Sequence, residues 1–540
     1  MILSIRYGCG RGDGRAVAHE HGESPGAGSR SRQLPAALDA SVARLRGIGD
    51  RPWEWLEHWA ATTPEAVAIS HPQTTWTYAR YASEVRRWAA RVASSGARSR
   101  VVGLSAPKRP ELLAAIVGVM SSGNAVLVLD PAEEHARRAS MLVETDPVVI
   151  YASVELGDTD GVRVEPFDFD EHSEHAQAIA VDDDDLASVV YSSGSTGEPE
   201  GRGGSHGLLV HSIARVVETM ALTCHDVLSQ FHDPSAPGAT RAIFGALAAG
   251  AHVRLIDPRS ESLSGLVATI AEQGLTVLHA PPQLVRALLS VCEPDDPRLA
   301  TVRHVLLAAD RTTPGDLRTA LRCLPDGCAV VVNYSSTEIG TISENVFRRV
   351  DEVLPGRVPV GRPLPWVEVR IVDDDGAELP TGEAGMLEAR VDGAMPQSFP
   401  ARTSMDDRGF VRNGDMARLL ADGSIDVIGR RSRRIKIDGF QVDLEEVESV
   451  LMADARVDVA VCVPSERNGR VELAVFAVAP TLLDVGDLHA LCRSLPPRAR
   501  PATVRLLDEL PATTRGKIDR WSVGRLAVGD HSANLWPNRG

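Results

Sequence analysis

The sequence predicts an α/β protein with three parts: a large N-terminal portion of helix-covered sheets, a small antiparallel, barrel-like subdomain, and a small mobile α+β C-terminal domain. Three observations lead to this fold class. The chain has 540 residues, which is more than one hydrophobic core usually organises. Short apolar runs alternate with amphipathic stretches from Trp53 to about Trp366. Shorter runs with strand-like alternation follow, so mostly parallel sheets are expected first and antiparallel strands later.

The N-terminal portion holds most of the predicted elements. Its strands are expected at Ala125–Leu129, Pro147–Tyr151, Ala187–Tyr191, Val253–Ile256, Leu275–Leu278, Val302–Leu307 and Ala329–Val332. Its helices are expected at Glu111–Met120, Leu208–Met220 and Pro282–Leu289. Because helical stretches fall between several of these strands, parallel pairing through crossover helices is the expected connection.

The pattern changes after Trp366. Alternating strands at Val367–Val372 and Met386–Val391 predict the antiparallel subdomain. The C-terminal section is expected to contain strands Val457–Val463 and Val471–Val478 and helices Leu444–Met452 and Leu488–Leu495. This mixture favours a separate small α+β domain that begins at about Ser432.

Domain boundaries follow from these changes. We expect a core domain over residues 51–431, a lid domain over 432–525 and a short tail over 526–540. Residues 1–50 are expected to form a disordered tail, because Gly8–Gln33 is rich in Gly, Arg, Ser and His and has no apolar period. Such a composition buries too little apolar surface to offset chain entropy.

Charge and cysteine usage narrow the class of protein. The 57 basic and 73 acidic residues give a net charge of −16, which argues against nucleic-acid binding through a basic surface. The seven cysteines are scattered, without a C-x-x-C pair, which is typical of a reduced, cytoplasmic protein. No apolar run in the sequence approaches the length of a membrane span, so no membrane partner is expected.

The most informative segment is the loop that follows the strand at Ala187–Tyr191. It holds Ser192, Ser193, Gly194, Ser195, Thr196 and Gly197. Glycine allows close approach and positive φ angles, so backbone N–H groups and hydroxyls can surround one polyanion. The loop is not a G-x-x-x-x-G-K-[ST] phosphate loop, because no Gly-Lys follows at that spacing.

The loop and seven further motifs, in the same order along the chain, resemble the adenylate-forming superfamily of acyl-CoA ligases, luciferases and nonribosomal peptide synthetase adenylation domains. The loop S-G-S-T-G-E-P-E-G resembles the family's S-G-[ST]-T-G-x-P-K-G. The other matching segments are Trp76–Tyr78, Gly123–Pro131, Tyr334–Glu338, Val360–Pro363, Asn413–Asp415, Gly429–Phe440 and Arg515–Arg520. The resemblance covers about residues 51 to 525 and favours the peptide-synthetase branch.

The resemblance implies a site for ATP and Mg²⁺. Residues 192–197 would hold the β- and γ-phosphates, Thr337 would donate to the α-phosphate, and Glu338 would hold Mg²⁺, a cation that prefers oxygen ligands. The nucleotide would also be bound by Tyr334, Asp415 and Arg430, the last two at the ribose hydroxyls. Lys517 would be the catalytic cation, and Lys436 would serve the second half-reaction after the lid rotates.

Three departures from the family pattern concern the catalytic machinery. Glu200 stands where the phosphate loop usually has lysine, and Arg202 is a candidate substitute for that charge. Asp310 replaces the glutamate of a G-G-E-like turn, and Ser432 stands at the hinge in place of Asp or Lys.

A fourth departure concerns the substrate, which is expected to be a carboxylic acid other than a standard α-amino acid. Pro237 occupies the place of the aspartate that pairs with a substrate ammonium in α-amino-acid enzymes. The same alignment surrounds the acid with Gly238, Arg241, His279, Leu306, Ala308, Asn333, Thr341 and Ile342. Arg241 either pairs with a second acidic group or faces solvent, and Asp233 is a candidate partner for an amine on another carbon, as in a β-amino acid.

The acceptor of the acyl group is expected to be a separate carrier protein, because no G-G-x-S phosphopantetheine site follows Arg520. The expected function is thus activation of an acid as its acyl adenylate, with release of pyrophosphate, and transfer to the carrier's phosphopantetheine thiol in natural-product biosynthesis. Coenzyme A and an amine are alternative acceptors, giving an acyl-CoA ligase or an amide ligase. A degenerate, non-catalytic nucleotide-binding protein is the remaining alternative.

Overall fold

The fold comes from a computed structural model of the chain. It describes residues 34–131, 133, 135–159, 161–168, 178–192, 200–236, 238–336, 339–351, 353, 357–391, 397–398, 405–437, 440–454, 456–467, 470–479, 483–511 and 518–528. The α-helices among them are α1 Leu34–Ile48, α2 Pro52–Thr62, α3 Tyr78–Ser94, α4 Pro110–Ser121, α5 His135–Thr145, α6 His206–Thr219, α7 Ala239–Ala248, α8 Leu263–Glu272, α9 Pro282–Leu289, α10 Pro314–Cys323, α11 Leu444–Met452, α12 Val485–Leu491 and α13 Arg520–Val528.

The strands alternate with these helices through most of the chain. They are β1 Val67–His71, β2 Thr74–Thr77, β3 Val101–Ser105, β4 Ala125–Val128, β5 Val149–Ala152, β6 Val164–Pro166, β7 Leu186–Ser192, β8 Glu200–Ser205, β9 Val227–Gln230, β10 His252–Leu255, β11 Val277–Ala280, β12 His304–Leu307, β13 Ala329–Ser336, β14 Gly340–Phe347, β15 Val367–Val372, β16 Gly385–Val391, β17 Gln397–Ser398, β18 Val411–Leu419, β19 Ile425–Arg430, β20 Arg434–Ile437, β21 Phe440–Asp443, β22 Val459–Arg467, β23 Arg470–Val478 and β24 Thr503–Leu506.

Two large sheets carry most of the N-terminal portion. The eight-stranded sheet has the order β14-β13-β12-β11-β9-β10-β1-β2, with parallel pairing from β13 to β1 and antiparallel strands at both edges. The seven-stranded sheet has the order β17-β8-β7-β4-β3-β5-β6, with parallel pairing from β7 to β6. Antiparallel β8 and β17 complete that sheet at one edge. The predicted parallel sheets with crossover helices are therefore confirmed.

The two large sheets share one apolar core. A single buried cluster joins residues of both sheets, such as Ile69 and Val102, with residues of the helices between them. The helix α4 is buried on every side except at Glu111, as expected for a helix that is apolar all round. It packs closely against α3: a Cβ atom on Gly118 would lie 2.4 Å from the Cβ atom of Trp88. The core therefore fixes the two sheets as one unit.

The later part of the chain forms smaller sheets. The predicted barrel-like subdomain is a four-stranded antiparallel sheet in the order β15-β16-β18-β19, and no closed barrel occurs among the residues described. After it come the two-stranded sheet β20-β21 and the three-stranded sheet β22-β23-β24 with α11, α12 and α13. The mixed α/β fold class predicted from the sequence is confirmed. The boundary at residues 431 and 432 stays a prediction.

Part of the segment expected to be a disordered tail is helical. The helix α1 packs against α6: the Ser41 hydroxyl and Arg44 Nη2 both donate to the Glu218 carboxylate, the latter at 3.3 Å. Leu45 is 3% exposed, and its carbonyl accepts from Trp55 Nε1 at 3.1 Å. Apolar residues at positions 38, 42, 45 and 48 recur at helical spacing. The expectation for residues 1–50 is therefore wrong for residues 34–48.

Contacts of Arg311 help to join the C-terminal section to the core. The loop after β12 carries Arg311, whose Nη2 donates to Ser449 Oγ on α11 at 2.9 Å. Its Nη1 lies 3.7 Å from a carboxylate oxygen of Glu445 on the same helix. Within the described ranges, no helix is both long enough and apolar enough to cross a membrane.

Candidate functional site

A polar cluster forms where the small antiparallel sheet meets the eight-stranded sheet. Tyr334 lies near the end of β13, Asn413 and Asp415 lie on β18, and Arg430 ends β19. The antiparallel register of β18 and β19 places Asp415 directly opposite Arg430. Residues from three strands are thus brought together by sheet pairing.

The Asp415 carboxylate is the centre of this cluster. Its Oδ2 accepts from the Tyr334 hydroxyl at 2.6 Å and from Asn413 Nδ2 at 2.8 Å, and Arg430 Nε lies 3.0 Å from Oδ1. Asp415 is 6% exposed, whereas the Arg430 side chain is 44% exposed. A carboxylate beside a guanidinium offers an acceptor and a donor, which suits the two hydroxyls of a ribose.

Tyr334 acts in this cluster as a hydrogen-bond donor. Burial, reinforced by the negative charge of Asp415, raises the pKa of Tyr334 well above its usual range. The phenol therefore keeps its proton at neutral pH and donates it to Asp415.

Replacing Tyr334 with phenylalanine is expected to lower the free energy of unfolding by about 1–3 kcal/mol, because a buried charged acceptor loses a donor. The matched control is Tyr81→Phe. Among the described residues, the buried Tyr81 hydroxyl has no hydrogen-bond partner, so its removal should leave stability equal or higher. Urea denaturation of both variants measures the difference. Equal losses in the two variants would contradict the assigned role of the Tyr334 hydroxyl.

Several predicted site residues lie outside the described residues. They are Ser193, Gly194, Ser195, Thr196, Gly197, Pro237, Thr337, Glu338 and Lys517. Their predicted roles, including Mg²⁺ binding by Glu338, stay predictions. Of Ser192 and Lys436 the structure gives only the backbone, at the end of β7 and within β20.

The predicted phosphate loop joins two antiparallel strands. Residues 193–199 connect β7 to β8, whose register pairs Ser192 with Glu200. Arg202, the candidate substitute for the usual lysine, lies on β8 opposite Val190 and is buried. Asp310, a second departure, is exposed and accepts from Gln283 Nε2 and from the backbone N–H of Arg311. The side chain of Ser432, the third departure, lies outside the described residues.

The predicted acid site lies at the carboxyl edge of the eight-stranded sheet. Gln230, His279 and Leu306 occupy one row across β9, β11 and β12. His279 Nδ1 lies 3.2 Å from Gln230 Oε1, and the His279 ring contacts the His232 ring at 4.4 Å between centroids. Burial, with smaller effects of His232 and Arg215, holds the pKa of His279 well below its usual range, so this imidazole is neutral at pH 7. Ligands of open parallel sheets bind at this edge.

A buried ion pair forms one side of the acid site. The Arg215 guanidinium on α6 contacts the Glu344 carboxylate on β14, and their side chains are 5% and 3% exposed. Thr219 Oγ1 donates to Glu344 Oε2 at 2.7 Å. Asn333 Nδ2 donates to Glu344 Oε1 at 3.0 Å and contacts Thr341 Oγ1 at 3.4 Å. Asn333 therefore contacts both Thr341 and the ion pair of Arg215 and Glu344, which the motifs do not predict.

Arg241 lies on the first turn of α7, next to this network. Gly238 precedes the helix with a φ of +85°, a left-handed conformation that glycine adopts without strain. A Cβ atom on Gly340 would lie 3.5 Å from Arg241 Nη1, so the guanidinium lies beside the start of β14. Arg241 is partly buried, and it does not lie on a solvent-facing helix surface.

The other predicted acid-site residues differ in how deeply they are buried. Ala308 follows β12 and is partly buried, whereas Leu306 is packed in the core between the large sheets. Ile342 is fully buried in the apolar cluster of the small sheet, with Leu364 and Val367. Their contact with a substrate stays a prediction.

Asp233 lies in the loop after β9. Its Oδ1 accepts from the backbone N–H of Ser235 at 2.9 Å. Its charge acts on Lys108, whose Nζ donates to the carbonyl oxygens of Phe231 at 2.9 Å and Ile256 at 2.6 Å. Burial lowers the pKa of Lys108 to about 8, and Asp233 opposes that shift. A substrate amine would therefore share Asp233 with a cation already present.

The fold is a mixed α/β fold, and its site offers a carboxylate and a guanidinium that suit a ribose. Residues 56–397 match the family model described as AMP-binding enzyme, and the chain belongs to that family. It is accordingly an AMP-binding enzyme. The resemblance identified from the motifs is confirmed.

Relatives in sequence are peptide synthases. The chain is 28% identical to a dimodular nonribosomal peptide synthase of Bacillus subtilis (strain 168), over 86% of this chain and 20% of that protein. It is 29% identical to the isonitrile lipopeptide synthase of Streptomyces coeruleorubidus, over 87% of this chain and 33% of that protein. The chain therefore spans between a fifth and a third of the length of these relatives.

Solved structures share the fold. NpsA of Klebsiella oxytoca in complex with 3-hydroxyanthranilyl-AMSN superposes with a TM-score of 0.74 and 20% identity, over 88% of this chain and 98% of that chain. O-succinylbenzoate coenzyme A synthetase of Bacillus subtilis in complex with AMP superposes with a TM-score of 0.72 and 22% identity, over 86% of this chain and 96% of that chain.

Proposed function

We propose that the enzyme activates a carboxylic acid as its acyl adenylate and transfers the acyl group to the phosphopantetheine thiol of a separate carrier protein. The observation that carries the first step is the cluster of Asp415, Arg430 and Tyr334, whose carboxylate and guanidinium suit a ribose. Similarity to peptide synthases supports the second step. We place the reaction in the cytoplasm, in keeping with the free thiols of the six described cysteines.

The proposed chemistry has two steps. A carboxylate oxygen of the acid attacks the α-phosphorus of ATP, an acyl–oxygen–phosphorus linkage forms, and the bond to pyrophosphate breaks. The carrier thiolate then attacks the acyl carbon, a thioester forms, and AMP leaves with the bonding electrons. Both steps bring anions together, so positioned cations and donors supply the catalysis.

We assign these tasks to the residues named by the family motifs. Lys517 stabilises charge between the carboxylate and the α-phosphate, and Thr337 donates to the same phosphate. Lys436 belongs to thioester formation. Mg²⁺, held by Glu338, would screen the phosphate charges when bound.

Coenzyme A is the second candidate acceptor. The O-succinylbenzoate enzyme and the anthranilate enzyme AuaEII, which share this fold at 22% and 20% identity, are a coenzyme A synthetase and a coenzyme A ligase. An amine acceptor would make the chain an amide ligase.

Acid-dependent exchange of labelled pyrophosphate into ATP tests the first step. The panel contains α-amino, β-amino, dicarboxylic, hydroxy and aryl acids. One class of acid is expected to support exchange. The variant Asp415→Asn is expected to raise the KM for ATP on the order of tenfold to hundredfold, because charged hydrogen bonds to the ribose are lost. The control is Asp426→Asn on β19, whose carboxylate pairs with Arg418 instead. ATP binding without exchange for any acid would favour the non-catalytic alternative.

The acceptor is tested separately with the acid that supports exchange. A phosphopantetheinylated carrier, its unmodified form, coenzyme A and hydroxylamine are compared as acceptors. Acylation of the modified carrier alone is the expected result. Equal or faster acylation of coenzyme A would instead identify an acyl-CoA ligase.

A further inference from the structure

The charge balance of the acid site is uneven. Within the described residues, Arg215 and Glu344 neutralise each other in a contact that also uses Thr219 and Asn333. Arg241 makes no hydrogen bond or ion pair with any of the described residues. Other partly buried arginines have carboxylate partners, such as Arg303 with Asp226 and Arg286 with Asp316. Within the described residues, Arg241 is therefore a positive charge without a carboxylate partner.

The described neighbours of Arg241 do not compensate its positive charge. Burial, with a smaller effect of Arg215, lowers the pKa of Arg241 to about 10, so the guanidinium remains protonated at neutral pH. The neighbouring Arg215 is itself positive, and the carboxylate of Glu344 is already used. A partly buried cation without a partner is unfavourable, and an anionic ligand group removes that cost.

A substrate amine fits this site poorly. It would meet the positive charge of Arg241. Asp233, the predicted partner of an amine, already accepts a hydrogen bond from the Ser235 backbone and interacts with the charge of Lys108. A carboxylate, in contrast, matches a guanidinium through two parallel hydrogen bonds.

We propose that Arg241 selects dicarboxylic acids, binding the carboxylate that does not react while the other becomes the adenylate. Asn333 and Thr341 lie on the neighbouring strands β13 and β14 and complete the polar side of this subsite. This inference rests on the proposed function, since it names the acid that the adenylation site takes.

Pyrophosphate exchange with matched acids tests the proposal. Straight-chain dicarboxylic acids of three to six carbons are compared with their monomethyl esters, which have similar length but lack the second charge. The wild-type enzyme is expected to prefer a diacid over its ester by a factor on the order of tenfold to hundredfold in kcat/KM, as for a charged hydrogen-bonded pair. Arg241→Gln should abolish that preference, and Arg241→Lys should keep part of it.

Two controls separate selectivity from folding. Arg86→Gln makes the same change in a partly exposed arginine of α3 that pairs with Glu57, and it should alter neither preference nor rate. Arg241→Gln should keep the wild-type affinity for ATP and a thermal midpoint that is equal or higher, because an unpaired charge is removed. A midpoint lower by several degrees would overturn the proposal by making Arg241 a structural residue.

Failure of this inference is distinguishable from failure of the proposed function. Equal exchange with diacids and their esters, or exchange only with amine-bearing acids, would overturn the role of Arg241 and leave adenylation standing. Exchange with no acid at all, while ATP binds, would reject the proposed function and this inference with it.

Discussion

Replacing Glu448 with glutamine is expected to destabilise the C-terminal section by about 3–5 kcal/mol, the loss typical of breaking a buried ion pair. Glu448 on α11 is 2% exposed. Its Oε1 lies 2.6 Å from Arg433 Nη2, 2.6 Å from Arg520 Nη1 and 2.8 Å from the backbone nitrogen of Cys462. Glutamine fills the same space, but within the described residues it leaves Arg520 without a carboxylate partner and Arg433 with Glu445 alone.

This stabilisation depends on pH in a defined direction. Burial favours a raised pKa for Glu448, but Arg520 and Arg433 outweigh it and lower the pKa to about 2, from an ordinary value of 4.5. A carboxylate whose pKa is depressed on folding stabilises the protein fully above its unfolded pKa. The contribution of Glu448 is therefore complete above pH 4.5 and is lost as the pH falls from 4.5 towards 2.

Chemical denaturation at pH 7 measures the effect of Glu448→Gln. The control is Glu446→Gln on the same helix, an exposed position where a change within about 0.5 kcal/mol is expected. Indistinguishable unfolding curves for the two variants would show that the buried carboxylate contributes little.

Replacing Lys517 with alanine is expected to reduce pyrophosphate exchange about 10²–10³-fold, as for other positioned groups that stabilise developing charge. The described residues on both sides of it are fixed. The backbone nitrogen of Asp519 donates to the Pro511 carbonyl at 2.7 Å, and Arg520 pairs with Glu448. Loss of the ammonium group should therefore reduce catalysis without disturbing the described residues that flank Lys517.

Lys436→Ala is the matched variant for Lys517→Ala. It should keep exchange, which reports adenylation alone, and lose transfer to the acceptor. Single-turnover thioester formation from a preformed adenylate separates the two steps. Unchanged exchange in the Lys517 variant would remove this residue from the first half-reaction.

The sequence predicts those helices and strands whose own residues carry a local apolar pattern. Apolar runs such as Ala187–Tyr191 are the buried parallel strands, and Pro282–Leu289 is a helix at its predicted bounds. The strand β8, in contrast, reads E-G-R-G-G-S and has no strand propensity. It forms because β7 and β17 pair with it on either side. Tertiary pairing of this kind leaves no local signal.

The same distinction applies to the site. The motifs identify Asp415, Arg430 and Tyr334, since each stands in a recognisable local pattern. Arg215 and Glu344 lie 129 positions apart in the sequence, and neither stands in a motif. A lone arginine in the apolar helix α6 and a lone acid in β14 are the available signals, and only the fold shows that they meet.

The pairing of Asp415 with Arg430 also restricts how this enzyme can be recombined with its relatives. Both residues belong to one hairpin, β18 and β19, closed by the turn at 420–424 with Gly423 at a φ of +83°. Adding or removing one residue in that turn would shift the register and move one of the two side chains to the opposite face of the sheet. Chimeric enzymes that exchange acid specificity should therefore have their crossover points before Val411 or after Arg430, so that the hairpin is inherited whole.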